Sequence, residues 1–500
     1  MKKYSLRFIL VLVSFALLFW GCTDLDEQPP SSVTAENFYQ TEAELIAAVL
    51  PVYNSMVNFT WEPPMFLQTV SSDEIVIPQR GGDWGDGNVW KDLHRHEWRP
   101  TLGFVNDGWV RLYGGVARAN SVLDELSKAE QTPLVTTFIS EARVLRAYFY
   151  FHLMDLYGGV PIFTDAFSDP DNPPTQNTRQ EVYNFVIAEI NESLPNLEDS
   201  FGAGNWGRVT KNAARAILAT VYLNAEVYTG TARWSECVSA CDAIINSGLH
   251  SLNSDYFSTF SPTNEGPGNA ELIWVVGHEN QDGVGFFRQQ ASLHYNQLPW
   301  TPWNGFSVVA EFYNRYDPDD VRLNQFLIGP QVWLAGPNAG LPTTDRNDIP
   351  LNFTVTINDI NSATEHEGPR VLKWPVDPNA TNENQGNDFA VFRYSGILLT
   401  KAEALHRQGD VGGATVLVNQ VRERAFDPDE PIAAVTLEDI LNERGFELFW
   451  ENFRRQDLIR YGRYGDTWAF KTNSDAHRVL FPIPQAQLDA NPNLQQNPGY

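Results

Sequence analysis

Apolar residues that recur three and four positions apart constrain this chain more than any other feature. Ala214, Ile217, Leu218, Val221, Tyr222 and Ala225 form one such stripe, and Val144, Leu145, Tyr148, Phe149, His152 and Leu156 form another. On a helix of 3.6 residues per turn each stripe falls on one face, and that face must be covered by another element. The first stripe predicts a helix over 213–228, a turn at 229–233 and a second helix over 234–245, which Ser247-Gly248 stops. This is a tetratricopeptide-like helix pair. Similar pairs are drawn from 107–126 with 141–156, from 179–194 with its successor, and from 389–407 with 412–424. No strict sequence period links them, so the expected fold is mainly α: a degenerate scaffold of helical pairs with long irregular loops and a few short strands.

The loops fall in two tracts, about 59–106 and 249–385, rich in Gly, Pro, Asn, Asp and aromatic residues. Long loops in a domain without linkers usually carry function. Short strands are expected inside the second tract at 272–276 and 353–357. No Ser/Gly-rich or Pro-rich linker divides the chain, so residues 22–500 are expected to form a single domain.

Lys2, Lys3 and Arg7 precede an apolar run from Phe8 to Trp20, followed by Gly21-Cys22. The run is too short to span a bilayer and has the layout of a secretory leader. Cleavage before Cys22 and acylation of its thiol would leave residues 1–21 as a lipoprotein signal peptide and anchor the mature chain by its N-terminus. Loss of the leader takes the net charge from −27 to −30, because only its three basic residues carry charge. A surface this acidic excludes backbone binding to nucleic acid and disfavours polyanionic ligands.

Cys237 and Cys241 then remain, four apart on one predicted helix, and read as buried free thiols because a bridge within a helix has poor geometry. His94 and His96 have strand-like spacing and lack the further ligands that a zinc site needs, so their expected role is structural. No cofactor or metal is expected. The 317–322 run lacks the spaced oxygen ligands and closing Glu of a calcium loop, and reads as an Asp-capped helix start with an internal Asp–Arg pair. Glu443, Glu447 and Glu451, spaced by four, sit beside Arg444, Arg454 and Arg455. These predict a partly buried ion-pair network.

Three stretches carry a family resemblance. They are Glu141-Ala142-Arg143-Val144-Leu145-Arg146-Ala147-Tyr148 leading to Tyr157-Gly158-Gly159-Val160-Pro161; Glu443-Arg444-Gly445-Phe446-Glu447-Leu448-Phe449-Trp450-Glu451-Asn452-Phe453-Arg454-Arg455; and the tail from Phe481-Pro482-Ile483-Pro484 to Asn497-Pro498-Gly499-Tyr500. Together they resemble the SusD/RagB family of surface glycan-binding lipoproteins. The resemblance implies a helical-repeat scaffold, a lipid anchor on the outer face of a Gram-negative outer membrane, and a TonB-dependent SusC-like transporter as partner. Thr23-Asp24-Leu25-Asp26-Glu27 resembles the family's export signal for the cell surface.

The family's glycan site lies in loops of the two tracts, where this chain carries Arg80-Gly81-Gly82-Asp83-Trp84-Gly85-Asp86-Gly87-Asn88-Val89-Trp90 and Leu298-Pro299-Trp300-Thr301-Pro302-Trp303-Asn304-Gly305-Phe306. A sugar ring packs its C–H face on an indole, while its hydroxyls need polar partners at the edge. Glycines around Trp84 and Trp303 let those rings project. The candidate platform is therefore Trp84, Trp300 and Trp303, with Trp90 and Trp333 as further members, whereas Trp109, Trp234, Trp274 and Trp450 read as core. Asp73, in a segment that resembles part of the family site, joins Arg80, Asp83, Asn88 and Asn304 as candidate polar groups. All of these types also serve as ordinary turn residues.

Capture of a glycan, neutral and glucan-like, for delivery to the transporter is the leading expectation, with no catalysis. Peptide capture, as in the RagB branch, would need exposed backbone groups more than flat aromatic rings. A glycoside hydrolase would need two carboxylates across a glycosidic bond, and no segment matches a hydrolase motif.

Overall fold

The structure is a computed structural model that describes residues 39, 41–167, 171–281, 285–378 and 380–500. The expected leader and Cys22 lie outside the described residues.

Helices start where the sequence supplies caps. Thr41, Thr178 and Thr436 each close a capping box, with Glu44, Glu181 and Asp439 three residues on. Thr132 caps the Pro133–Tyr157 helix, and Pro133 fills the first helical position, which needs no N–H donor. The Gly103–Lys128 helix packs against Pro133–Tyr157, as expected from its stripe. Their close approach depends on Gly115, where a Cβ would meet the Phe149 ring at 2.6 Å.

Lys211–Leu223 pairs with Trp234–Ile245, which packs on Tyr394–Arg407, and that helix pairs in turn with Val411–Arg422. The Arg179–Ser193 helix departs from expectation: it packs chiefly back onto Pro133–Tyr157 and less on its successor. The reason is electrostatic as well as apolar, because Glu189 receives both Arg143 (2.7 Å) and Arg146 (2.5 Å) from that helix. The expected helix over 213–228 is interrupted at Asn224, whose amide donates to the Thr220 carbonyl at 2.9 Å and restarts the chain as Ala225–Thr229. Gly230, at φ +74°, ends that turn. Cys237 and Cys241 are buried free thiols on the Trp234–Ile245 helix.

Among the described residues, four two-stranded antiparallel ribbons punctuate the loops. Leu272–Val276 pairs with Phe389–Arg393, Phe326–Leu327 with Arg370–Val371, and Gly329–Pro330 with Asn352–Phe353. The strand expected over 353–357 stops at Phe353, because the Thr354 hydroxyl turns onto the Thr356 carbonyl at 3.0 Å. The fourth ribbon pairs Ile75–Val76 with Ser307–Val308 and ties the two loop tracts together.

Asp320 caps the short Val321–Gln325 turn and pairs with Arg322 at 2.7 Å. Glu443 and Glu447 lie on the Leu437–Glu447 helix, which ends before Glu451; Trp450, at φ +57°, turns the chain so that Glu451 still reaches the same buried network. His94 ends the Val89–His94 helix and His96 follows at φ +58°, so their spacing is not that of a strand. Both are structural: His94 meets the Ala469 carbonyl at 2.7 Å and His96 the Ser71 carbonyl at 2.8 Å.

Candidate functional site

Two buried arginines fix the second tract: Arg80 reaches into it from the first, and Arg370 braces it from within. Arg80 and Arg370 are 1% and 0% exposed. Arg80 Nε donates to the Asn304 backbone carbonyl and Arg370 Nε to the Asn304 side-chain oxygen, both at 2.9 Å. Both guanidinium groups share the Ser307 hydroxyl and the Glu367 carbonyl. Asn304 is thus held in the left-handed region, at φ +50°, a conformation that Asn tolerates better than most residues. Burial lowers the Arg80 pKa to about 10, since no carboxylate contacts it directly.

The clamp presents Trp303 to Trp84. The Trp84 indole donates to the Trp303 carbonyl at 2.7 Å, and the ring stands edge-on to Phe306 and Trp90, each 5.8 Å between centroids. Trp84 has φ +61°, Gly85 returns to the right-handed region at φ −71°, and Asp86, Gly87 and Asn88 are again at positive φ, so the backbone doubles back and leaves the ring half-exposed. Gly305 is required under it: a Cβ there would lie 2.3 Å from the indole. Trp303 is also half-exposed, backed by Trp61 at 5.2 Å and stacked on Phe287 at 6.1 Å.

Between these rings lies a shallow cavity of about 410 Å³ whose walls include Asp83, Trp84, Asp86, Tyr295, Thr301 and Trp303. The Tyr295 hydroxyl donates to Asp83 Oδ2 at 2.6 Å, and Arg346 reaches the same oxygen at 3.0 Å. Burial and the bond to Asp83 push the Tyr295 phenol well up, keeping it protonated. Arg346 stacks over the Tyr295 ring, 4.0 Å from its centroid, and pairs with Glu365, which also contacts the buried His294 at 2.9 Å. Burial lowers the His294 pKa to about 4 despite that carboxylate. The arrangement offers two aromatic faces with carboxylate acceptors at the rim, suited to a flat, hydroxylated ligand.

The structure therefore brings Asp83, Trp84 and Trp303 together. Asn88 is exposed in the adjacent left-handed turn. Four expected residues are buried and play supporting parts. Asp73 is 2% exposed and ion-paired with Arg454 and Arg315, both at 2.7 Å, in a separate charged cavity. Burial opposes its charge, but the two arginines win and hold its pKa well below the usual range. Arg80 and Asn304 form the clamp, and Trp90 is packed against Phe66 and Phe104 with its indole on Asp86.

Trp300 is half-buried against the Leu293 and Leu298 cluster, its indole on Gln290 at 3.0 Å, and Trp333 sits in the loop that bridges Val332 to Pro342. Neither lines the cavity. Trp109, Trp274 and Trp450 are core, whereas Trp234 is half-buried under Arg407. Sequence reasoning missed Tyr295, Asp86 and Thr301, although Asp86 and Thr301 lie inside the quoted clusters and Tyr295 lies five residues before Trp300. A cavity of similar size, about 420 Å³, lies between the Glu42–Asn54 helix and the 204–208 loop, but its walls mix aliphatic side chains with Tyr53, Arg208 and His278 and hold a single tryptophan, Trp206. Among the described residues no group of three His, Cys, Asp or Glu side chains is placed to hold a metal ion.

Residues 253–500 match the profile described as SusD family, and residues 25–223 match one described as starch-binding, associating with outer membrane. SusD-like protein P25 of Formosa agariphila is 25% identical, covering 98% of both chains. The starch-binding protein SusD of Bacteroides thetaiotaomicron is 26% identical over 88% of this chain and 86% of its own. Among solved structures, surface glycan-binding protein A from Bacteroides thetaiotaomicron in complex with laminarihexaose superposes with a TM-score of 0.73 at 22% identity, covering 91% of this chain and 99% of that one. The two profiles, the relatives and the shared fold agree, and the chain belongs to the SusD family.

Proposed function

We propose that this protein is a non-catalytic glycan-binding lipoprotein of the outer membrane, anchored through Cys22 at the cell surface. It captures a neutral, glucan-like polysaccharide or oligosaccharide and passes it to a TonB-dependent SusC-like transporter. The observation that carries this reading is the cavity in which Trp84 from one tract and Trp303 from the other stand together, with Asp83 and Tyr295 at its edge. Aromatic faces supply contact area without demanding a particular polar pattern, and rim carboxylates accept from sugar hydroxyls. A cavity this shallow suits capture followed by release. Starch and laminarin oligosaccharides are the ligands named for relatives and structural neighbours, which supports a glucan here.

The test is affinity electrophoresis of the chain without its leader through gels containing neutral and acidic polysaccharides. Retardation by a neutral polymer, with no reducing ends released on incubation, is expected. Free migration through every gel would turn the reading to peptide capture or to a glycan outside the panel, and released reducing ends would reject the non-catalytic reading.

A further inference from the structure

Resting on the glycan reading, we infer that Asp83 and Asp86 determine which glycans this cavity accepts. They select ligands that donate hydrogen bonds through neutral hydroxyls and reject those carrying carboxylate or sulfate groups.

The two carboxylates flank Trp84, and each is committed on one side only. Asp83 Oδ2 accepts from Tyr295 and Arg346, and Asp86 Oδ2 accepts from the Trp90 indole at 2.7 Å. Oδ1 of each makes no hydrogen bond among the described residues, and both side chains reach solvent at the cavity. An ionised carboxylate is an acceptor only, so each spare oxygen asks for a donor.

Side-chain donors on the cavity wall are few, and among the described residues the neutral Thr301 hydroxyl is an uncommitted one. The Tyr295 proton is given to Asp83 and the Trp84 N–H to the Trp303 carbonyl. No Lys, Arg or His lines the wall. Arg346 is the nearby cation, and it is already engaged by Asp83 and Glu365. A uronate or sulfate ester entering here meets two negative charges and no uncommitted positive one, whereas a neutral sugar supplies the donors that both carboxylates lack. This local arrangement is separate from the chain's overall acidity, which would act on any anion at long range and fade with salt.

The experiment compares one neutral polymer, starting with laminarin and soluble starch, with its carboxymethylated derivative, using native protein and an Asp83→Asn, Asp86→Asn double variant. Asn keeps an oxygen acceptor for Tyr295 and for the Trp90 indole. Native protein is expected to bind the neutral form at least about tenfold more tightly, including at high salt. The double variant is expected to lose affinity for the neutral form and gain it for the charged one. These opposite changes distinguish selection from a loss of fold, and D86N alone, which leaves the Asp83 contacts intact, is expected to show a smaller version of both. Equal binding of both forms by native protein, or unchanged selectivity in the variants, would overturn the inference while leaving glycan capture standing. No binding of any polymer by native protein would reject the glycan reading and this inference with it.

Discussion

Trp84 and Trp303 face the cavity, while Trp300, from the same motif, is fixed behind it by Gln290. Replacing Trp84 or Trp303 by Ala removes a stacking face without opening the helical core, so each change is expected to weaken glycan binding about tenfold or more, roughly 1.4 kcal/mol. Trp300→Ala is expected to cost less affinity. Isothermal titration on the three variants, with circular dichroism as a check of fold, decides between them, and equal losses would contradict the placement of Trp300. At this scale the sequence was partly legible. The indoles were visible because they stood among turn formers, yet Asp73, Arg80 and Asn304, read as candidate ligand-binding groups, are buried at 2%, 1% and 0% exposure. Polar residues near glycine look alike in sequence whether they face solvent or bind backbone carbonyls across the fold.

Among the elements, the Leu437–Glu447 helix anchors the densest set of charges. Glu447 is fully buried and accepts from Arg322 at 3.1 Å, from Arg424 at 2.5 Å, and from Arg393. Burial works against its ionisation, but the surrounding arginines hold its pKa well below the ordinary range. Glu447→Gln removes one charge from a site that leaves three guanidinium groups in low dielectric, and breaking a buried pair in this way costs about 3–5 kcal/mol. A chemical-denaturation midpoint lowered to match, with glycan affinity little changed in the folded fraction, is the expected result. A variant as stable as the native protein would show that the neighbouring carboxylates already satisfy the arginines. The charges were legible as a network from their spacing by four, but the turn at Trp450 that returns Glu451 to it was not.

For the molecule as a whole, buried histidines set the pH response. Burial lowers His94, His152 and His294 to about 4 and His96 well below its ordinary value. The unfolded chain takes up these protons near pH 6.5 and the folded chain does not, so stability present above that pH is lost as the pH falls towards 4. Burial raises Glu74 to about 8 and Asp388 to about 6, and these two act in the opposite direction, stabilising the fold as it becomes more acidic. Burial also lowers His250 and raises Glu62 and Glu141, so among the described residues five lowered histidines stand against four raised carboxyl groups, and the histidines, whose unfolded pKa lies inside the interval, set the sign. The calorimetric Tm is expected to fall by several degrees between pH 7 and pH 4.5, and a Tm that rises over that interval would contradict the balance.

The sequence by itself determined the helical class, the division into scaffold and loop tracts, and the family. These depend on periodicity, caps and contiguous motifs, which are local properties of the chain. It did not determine which tryptophans would share a cavity. That required the ribbon of Ile75–Val76 with Ser307–Val308 and the reach of Arg80 to Asn304, contacts between residues more than 200 positions apart, with Arg370 bracing Asn304 from 66 positions away. No window of sequence contains both partners, so only the packed chain could place Trp84 against Trp303 and leave Trp300 outside.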